Sequence, residues 1–97
     1  MTDQHRVFEA DVLVRDPEGI HLRNAAALVR AAAKFPKAEL LISKGNHEVN
    51  GKSIMGVLTL VAEHGSRLHL RARGEGAEKL LEILVTMFES GESGASA

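Results

Sequence analysis

One short segment of the chain combines a nucleophile, a cation and a turn residue at close spacing. It is Gly19-Ile20-His21-Leu22-Arg23, and His21 stands where a loop signal gives way to a helical pattern. The first N–H groups of a helix have no partner within the helix and carry partial positive charge, so they attract phosphate. An imidazole there can attack a phosphoryl group, and the guanidinium of Arg23 can hold phosphate oxygens in a fork. Gly19 lets the chain turn sharply before the site. Because the pattern is short, the segment alone leaves two interpretations open: a nucleophile for phosphoryl transfer, or a polar residue that merely stands near a helix start.

The elements that must position this segment can be predicted from the spacing of apolar residues. Residues 6–14, 39–44, 47–50 and 67–73 are predicted strands, whereas 22–35, a short stretch from 54 to about 61, and 75–89 are predicted helices. Gly45-Asn46 is a hairpin turn, Ser53 can cap the short helix, and Pro36 ends the first helix. The order is β-α-β-β-α-β-α.

The strands alternate apolar and polar residues, which is typical of a mostly antiparallel sheet with one face in water. The helices must then cover the other face. We expect an α+β fold in which three helices lie on one face of a four-stranded sheet. Residues 1–90 are predicted to form one domain, and residues 91–97 a disordered tail.

Composition excludes several function classes. The chain has 97 residues and no cysteine, so disulfides, cysteine-rich zinc sites and thiol catalysis are excluded. Its formal net charge of −1 argues against nonspecific binding to nucleic acid or to an acidic membrane. No apolar run approaches the ~18 residues of a membrane span. The first residues, Met1 to Arg6, lack the apolar stretch of a secretion signal, so a cytoplasmic location is expected.

A basic stripe on the last predicted strand offers an alternative, nucleic-acid-binding interpretation. Its members are Arg67, His69, Arg71 and Arg73. The chain has only three aromatic residues, all Phe, so platforms for stacking bases are nearly absent. Glu9, Asp11 and Glu39 lie on the polar faces of other predicted strands. We therefore favour a solvated sheet face on which these charges are paired.

The remaining histidines could in principle hold a metal ion. They are His5, His47, His64 and His69. Their spacing matches no familiar metal site, and no nearby carboxylates complete a ligand pattern. We expect surface histidines, no metal site and no cofactor.

Two motifs, taken together, resemble the HPr family of the bacterial phosphotransferase system. The first is Gly19–Ala25, and the second is Asn50-Gly51-Lys52-Ser53-Ile54-Met55-Gly56. The resemblance covers roughly residues 5–90 and implies an open-faced β-sandwich. It implies that His21 takes a phosphoryl group on Nδ1 from the phosphohistidine of Enzyme I, with the backbone N–H groups of Leu22 and Arg23 contacting the phosphate. His21 would then pass the group to a histidine of an Enzyme IIA domain or a similar acceptor.

The same resemblance implies regulation and a docking surface. Ser53 matches a serine that a dedicated ATP-dependent kinase phosphorylates in many bacteria, which implies a kinase and a phosphatase as further partners. The residues that match the partner-binding patch and its basic rim are Leu22, Ala26, Ile54, Met55 and Arg30. The chain would act as a monomer and as a stoichiometric carrier in phosphoryl transfer for sugar uptake or regulation, rather than as a free-standing enzyme.

Two residues depart from the family motif Gly-Leu-His-Ala-Arg-Pro-Ala. Leu22 replaces a small residue, which enlarges the apolar surface beside His21, and Asn24 replaces proline. Proline suits a first helical turn, whereas asparagine can compete for backbone hydrogen bonds. We therefore expect a less rigid site, and we expect Asn24→Pro to be tolerated and to speed transfer.

A second function belongs to a different class. The chain would then be a regulatory interaction module of the same fold, in which phosphorylated Ser53 controls binding to another protein and His21 no longer carries phosphate. Retention of both His21 and Arg23 favours the carrier, and the changed Asn24 leaves room for the module.

Overall fold

The computed structural model describes residues 6–90. The elements are β1 (Val7–Leu13), α1 (Leu22–Ala33), β2 (Ala38–Lys44), β3 (His47–Asn50), α2 (Ile54–Leu58), β4 (Arg67–Gly74) and α3 (Ala77–Glu89). The strands form one sheet in the order β1-β4-β2-β3, and all three pairings are antiparallel. The predicted α+β class and element order are confirmed.

One face of the sheet and the apolar faces of the helices form the core. Strand β4 shows the alternation most clearly, because Leu68, Leu70 and Ala72 are buried whereas Arg71 and Arg73 are exposed. The helices contribute apolar residues at helical spacing, chiefly Ala25, Leu28, Ala32, Leu80 and Leu84. The apolar side chains at alternate strand positions and those at helical spacing therefore pack together in a single layer.

The open face of the sheet is charged and internally paired. Arg73 lies 2.6 Å from a Glu39 oxygen, and Arg71 lies 3.0 Å from an oxygen of Glu48. These cross-strand pairs, and the His69 cluster next to them, support the interpretation of a charge-paired face over a nucleic-acid interface. Glu48 is a partner that the sequence interpretation did not name.

His69 occupies the centre of this face, between two carboxylates of β1. Its Nδ1 is 2.8 Å from Asp11 and its Nε2 is 2.6 Å from Glu9. Both carboxylates can only accept, so both ring nitrogens donate and the ring is held as an imidazolium. The hydrogen bonds to Asp11 and then to Glu9 raise the pKa of His69 above its ordinary value.

Three helix boundaries differ from the predicted ones by two or three residues, whereas the strand boundaries differ by one at most. Helix α1 ends at Ala33, two residues before the predicted end at Phe35, with Lys34 as its C-cap ahead of Pro36. Helix α3 starts at Ala77 because Gly76 precedes it with φ 86°, a left-handed conformation that cannot continue a helix. Helix α2 ends at Leu58, and the turn beyond it leads to Val61 with φ 50°.

The predicted tail, residues 91–97, and His5 both lie outside the described residues. Within residues 6–90, no helix has the length and apolar character needed to cross a membrane. In the same part of the chain, no group of histidine and acidic side chains has the arrangement of a metal site.

Candidate functional site

His21 is the N-cap of α1. Its backbone is extended, with φ −120° and ψ −177°, and its carbonyl accepts the N–H of Ala25 at 2.9 Å. This is the first bond of the helical ladder, so the N–H groups of Leu22 and Arg23 precede it and remain available to an anion. The side chain of His21 is 28% exposed. The structure thus places His21 at a helix start, where the sequence predicted it.

The loop before His21 is held against a second loop through Gly19. The N–H of Ile20 donates to the carbonyl of Ala62 at 2.7 Å, and a Cβ on Gly19 would come within 2.5 Å of that same oxygen. Gly19 also has φ 74°, which side chains rarely adopt. Glycine is therefore required here both for the turn and for the close approach of the two loops.

Asn24 connects the loop to the helix. Its Oδ1 accepts the N–H of His21 at 2.6 Å, and its Nδ2 donates to the carbonyl of Gly19 at 2.9 Å and to Oδ2 of Asp16 at 3.4 Å. The side chain of His21 faces the backbone N–H of Asn24 in return, as in a capping box, although the contact falls short of a full side-chain cap hydrogen bond. These contacts argue against the expectation that Asn24 makes the site less rigid. Its side chain supplies three bonds that proline lacks.

Two carboxylates lie beside the His21 ring on the loop side. Nε2 of His21 is 3.8 Å from Oδ2 of Asp16 and 3.9 Å from Oε1 of Glu18. That nitrogen is buried and has no hydrogen-bond partner within residues 6–90. The sequence predicted only a loop before His21 and assigned no role to either acid. No pattern in the sequence indicates which loop side chains turn towards the ring.

Arg23 is exposed, and no hydrogen bond or ion pair of the described residues engages its guanidinium. It stands two residues after His21, at the second position of α1. An unengaged guanidinium beside free helical N–H groups can bind phosphate oxygens without breaking an existing contact. The structure therefore places the predicted cation, His21 and the N–H groups on one helix end.

Ser53 is the N-cap of α2, as predicted. Its Oγ accepts the N–H of Gly56 at 2.9 Å. Helix α2 packs against α1, so Ser53 and His21 start two helices that touch. Ile54 is half-buried against the core, whereas Met55 is 71% exposed.

The other predicted docking residues divide into two groups. Leu22 is 63% exposed next to His21, and Ala26 is half-buried one turn further along α1. Arg30 lies in the last turn of α1, about 13 Å along the helix axis from His21 at 1.5 Å per residue. The structure therefore brings Leu22 beside the histidine and leaves Arg30 at the far end of the helix.

Val61 adds an apolar residue that sequence analysis assigned only to the end of a helix. It is 65% exposed and takes a left-handed backbone conformation, φ 50°. The next residue, Ala62, bonds to Ile20 in the site loop, and the ammonium of Lys44 donates to the carbonyl of Val61 at 2.9 Å. Val61 thus belongs to the loop that supports the site. Its local conformation could not be read from a β-branched residue, which normally avoids it.

Comparison with protein families gives one match that spans most of the chain. A family model described as the phosphorylation site of the PTS HPr component matches residues 8–90. The matched region contains His21, Arg23 and Ser53, which carried the resemblance in the sequence.

Relatives and solved structures agree with this match. The phosphocarrier protein HPr of Xylella fastidiosa (strain 9a5c) is 37% identical over 84 residues, 87% of this chain and 93% of that protein. The HPr-like protein Crh of Bacillus subtilis (strain 168) is 37% identical over 78 residues, 80% of this chain and 91% of Crh. A crystal structure of HPr from Bacillus anthracis str. Ames superposes with a TM-score of 0.80 at 34% identity, and the match covers 86% of this chain and 98% of that one. The chain belongs to the HPr family of phosphocarrier proteins of the phosphotransferase system.

Proposed function

We propose that the chain accepts a phosphoryl group on Nδ1 of His21 from the phosphohistidine of Enzyme I and delivers it to a histidine of an Enzyme IIA domain or a similar acceptor. The lone pair of Nδ1 forms the new N–P bond while the P–N bond of the donor breaks, and the donor nitrogen keeps that electron pair. Delivery to the acceptor is the same exchange in reverse. The observation that carries the proposal is the placement of His21 as the N-cap of α1 beside an unengaged Arg23.

The choice of Nδ1 follows from the two sides of the ring. Nε2 is buried and faces the carboxylate of Asp16, whose negative charge repels a phosphoryl group. Glu18 lies at a similar distance but is 79% exposed, so water screens its charge. The opposite side faces the start of α1, where N–H groups and the positive end of the helix dipole favour one. Nδ1 is therefore the nitrogen with access to an environment suited to phosphate.

The N–H groups of Leu22 and Arg23 would hold two phosphoryl oxygens, and the Arg23 guanidinium a third. All of these donors come from one helix end, so one chain suffices and we expect a monomer to be active. The protein changes state with each transfer, so it acts as a stoichiometric carrier rather than as a free-standing enzyme. From these proposed partners we infer that the protein acts in the cytoplasm.

The partners would dock on the apolar surface that surrounds His21. Leu22 and Met55 present large exposed side chains, Ala26 and Ile54 are half-buried, and we add the exposed Val61 to this surface. Exposed apolar side chains on well-ordered elements next to a reacting group are typical of a protein interface. Arg30 would meet a partner only at the edge of this surface.

Labelling with Enzyme I and phosphoenolpyruvate tests the carrier function. The parent protein should acquire an acid-labile, alkali-stable phosphate, and His21→Ala should acquire none while keeping its far-UV circular dichroism. His64→Ala is the matched control, because His64 is exposed in a loop outside the site. Undiminished labelling of His21→Ala would contradict the proposal.

Ser53 is the proposed regulatory phosphosite. A phosphate there carries close to two negative charges and three acceptor oxygens, so it can keep the N–H of Gly56 as a donor and is tolerated at the start of α2. On the docking surface the same charge would require desolvation and would repel acidic partner groups. Phosphorylated Ser53 should therefore leave the fold intact and slow phosphorylation of His21.

The Ser53 hypothesis is tested with Ser53→Asp and Ser53→Ala. The acidic variant should accept phosphate from Enzyme I more slowly, whereas the alanine variant should transfer normally and lose about 1 kcal/mol of stability with its cap. Equal rates in the parent, in Ser53→Asp and in the authentic phosphoserine protein would leave Ser53 as a helix cap alone.

A regulatory module is the second candidate, because relatives named HPr-like protein Crh also match the chain, at 35% and 37% identity. In that case phosphorylated Ser53 would create a binding surface and His21 would stay unphosphorylated. Failure of Enzyme I to label the parent protein, together with binding that depends on phosphorylated Ser53, would favour this candidate.

A further inference from the structure

We infer that Asp16 is a positioning residue for His21: its carboxylate keeps the ring proton on Nε2, leaves the lone pair on Nδ1, and supports the positive charge that the ring gains when Nδ1 bonds to phosphorus. The inference deepens the proposed function and rests on it for the role in transfer. The part that concerns the tautomer can be tested without any partner protein.

The ring lies between two environments of opposite sign. On one side are the free N–H groups at the start of α1 and the backbone N–H of Asn24, all of which are donors. On the other side are the acceptor oxygens of Asp16 and Glu18, 3.8 and 3.9 Å from Nε2. A neutral imidazole donates from one nitrogen and accepts at the other. Both environments select the same tautomer, with the proton on Nε2.

Asp16 is held in place, whereas Glu18 is not. One oxygen of Asp16, Oδ1, accepts the N–H of Glu18 at 2.9 Å, and the backbone carbonyl of Asp16 accepts the N–H of Gly19 at 2.9 Å. The other oxygen, Oδ2, takes the long bond from Asn24 and faces Nε2. The Asp16 side chain is 21% exposed and that of Glu18 is 79% exposed. Water therefore screens Glu18 far more than Asp16.

The present 3.8 Å separation is an electrostatic contact rather than a hydrogen bond. Nε2 is buried and unbonded in this state, so one polar atom of the ring is still unsatisfied. When Nδ1 forms its bond to phosphorus, the ring becomes an imidazolium with its remaining proton on Nε2. That N–H can then close on Oδ2 as a charge-assisted hydrogen bond, which is stronger than a neutral one. Hydrogen bonds at reacting groups commonly tighten in this way.

Asp16→Asn removes this function while it keeps the size of the side chain. In Asp16 the N–H of Glu18 is bound by Oδ1 and Nε2 of His21 faces Oδ2, so an amide whose single oxygen accepts the N–H of Glu18 turns its NH₂ group towards the ring. If its NH₂ group faces the ring, it meets two donors, Nε2–H and the amide of Asn24, and it favours the tautomer with the proton on Nδ1. Glu18→Gln is the matched control, because it removes an equally distant but exposed charge.

The experiment uses the full chain labelled with ¹⁵N in histidine. The nitrogen shifts of the neutral His21 ring report the tautomer directly, and phosphoramidate, a small phosphoryl donor, reports which nitrogen is phosphorylated. The parent and Glu18→Gln should show the proton on Nε2 and phosphate on Nδ1. Asp16→Asn should show a mixed or reversed tautomer and phosphate on both nitrogens. With Enzyme I as donor, its transfer rate should fall about tenfold, against less than twofold for Glu18→Gln.

Two results would overturn the inference: a parent ring with its proton on Nδ1, or an Asp16→Asn protein indistinguishable from Glu18→Gln. If Asp16→Asn fails to fold, the tautomer of the parent protein still decides. Failure of the proposed function has a different signature. Enzyme I would then label no form of the protein, while the tautomer and the phosphoramidate product would still respond to Asp16→Asn.

Discussion

Replacing Asn24 by alanine should destabilise the protein by about 1–2 kcal/mol. The side chain makes two short hydrogen bonds, to the His21 N–H at 2.6 Å and to the Gly19 carbonyl at 2.9 Å, and a long one to Asp16 at 3.4 Å. A typical net contribution is about 1 kcal/mol per bond, and the long bond adds less. The higher helix propensity of alanine returns a few tenths of a kcal/mol at this exposed helix end.

Asn24→Pro distinguishes the effect of the lost hydrogen bonds on stability from the effect of a stiffer backbone. Proline loses the same three bonds, but it restricts the unfolded chain and thereby recovers about 0.4–1 kcal/mol. Its missing N–H breaks no helical bond, because the N–H of Asn24 precedes the first one, that of Ala25, but it removes a donor that faces the His21 ring. We therefore expect Asn24→Pro to fold and to be more stable than Asn24→Ala but less stable than the parent. Both variants should transfer phosphate more slowly, since the backbone N–H of His21 loses its bond to the side chain of residue 24.

Urea unfolding followed by far-UV circular dichroism is the suitable assay, since the chain has no tryptophan or tyrosine to report by fluorescence. A loss of 1–2 kcal/mol corresponds to a fall in Tm of roughly 5–10 °C for a domain of this size. Arg23→Ala is the stability control, because it changes the neighbouring, unengaged side chain and should stay within about 0.5 kcal/mol of the parent. An Asn24→Ala protein as stable as the parent would refute the reasoning, and an Asn24→Pro protein that transfers faster would restore the expectation drawn from the sequence.

Three further outcomes follow from other parts of the molecule. The pKa of His69 is raised by Asp11 and Glu9, so its stabilising contribution is complete below about pH 6.5 and is lost as the pH rises through the raised pKa. The free energy of unfolding in urea should therefore change more between about pH 5.5 and pH 9 for the parent than for His69→Gln. The difference between the two proteins should be less than about 1 kcal/mol, because the cluster is exposed. Equal changes in both proteins would contradict this. Val61→Gly should raise the Tm. The left-handed strain that it relieves, about 1–2 kcal/mol, exceeds the entropy cost of glycine, about 0.5–1 kcal/mol. A lower Tm would show that Val61 is not strained. Leu22→Ala should keep the free energy of unfolding within about 0.5 kcal/mol of the parent value, because the side chain is exposed. Its affinity for Enzyme I, measured by calorimetry, should fall about fivefold or more. An unchanged affinity would show that Leu22 is not part of the docking surface.

The regular elements were predictable because their causes are local. The alternation in β4 and the helical spacing of α1 repeat over several turns or pleats, and the Ser53 cap depends on one side chain and a backbone N–H three residues away. His21 could be placed at a helix start for the same reason. Each of these features depends on residues near one another in sequence, so a pattern records it.

The contacts that organise the site were not predictable in this way. Asp16 lies five residues before His21 in a loop, and its position depends on the left-handed turn at Gly19 and on the bond between Ile20 and Ala62, about forty residues away. The exposure of Val61 likewise results from where the loop after α2 must run. The side chain of Asn24 was expected to compete for backbone hydrogen bonds, but the sequence could not show that the groups it reaches, the His21 N–H and the Gly19 carbonyl, join the loop to the helix start.

Carboxylates beside a phosphate site would at first sight weaken it. Asp16 and Glu18 face Nε2, however, so the ring stands between them and a phosphoryl group on Nδ1. Coulomb energies fall inversely with distance, so the N–H groups and Arg23, which would contact the phosphoryl oxygens directly, would outweigh carboxylates on the far side of the ring. The same carboxylates are closest to Nε2, where the positive charge of the phosphorylated ring is shared. A carrier must both accept and release its phosphoryl group. A site that stabilises the ring charge without enclosing the phosphate allows both steps, and a partly exposed His21 at a helix start provides that arrangement.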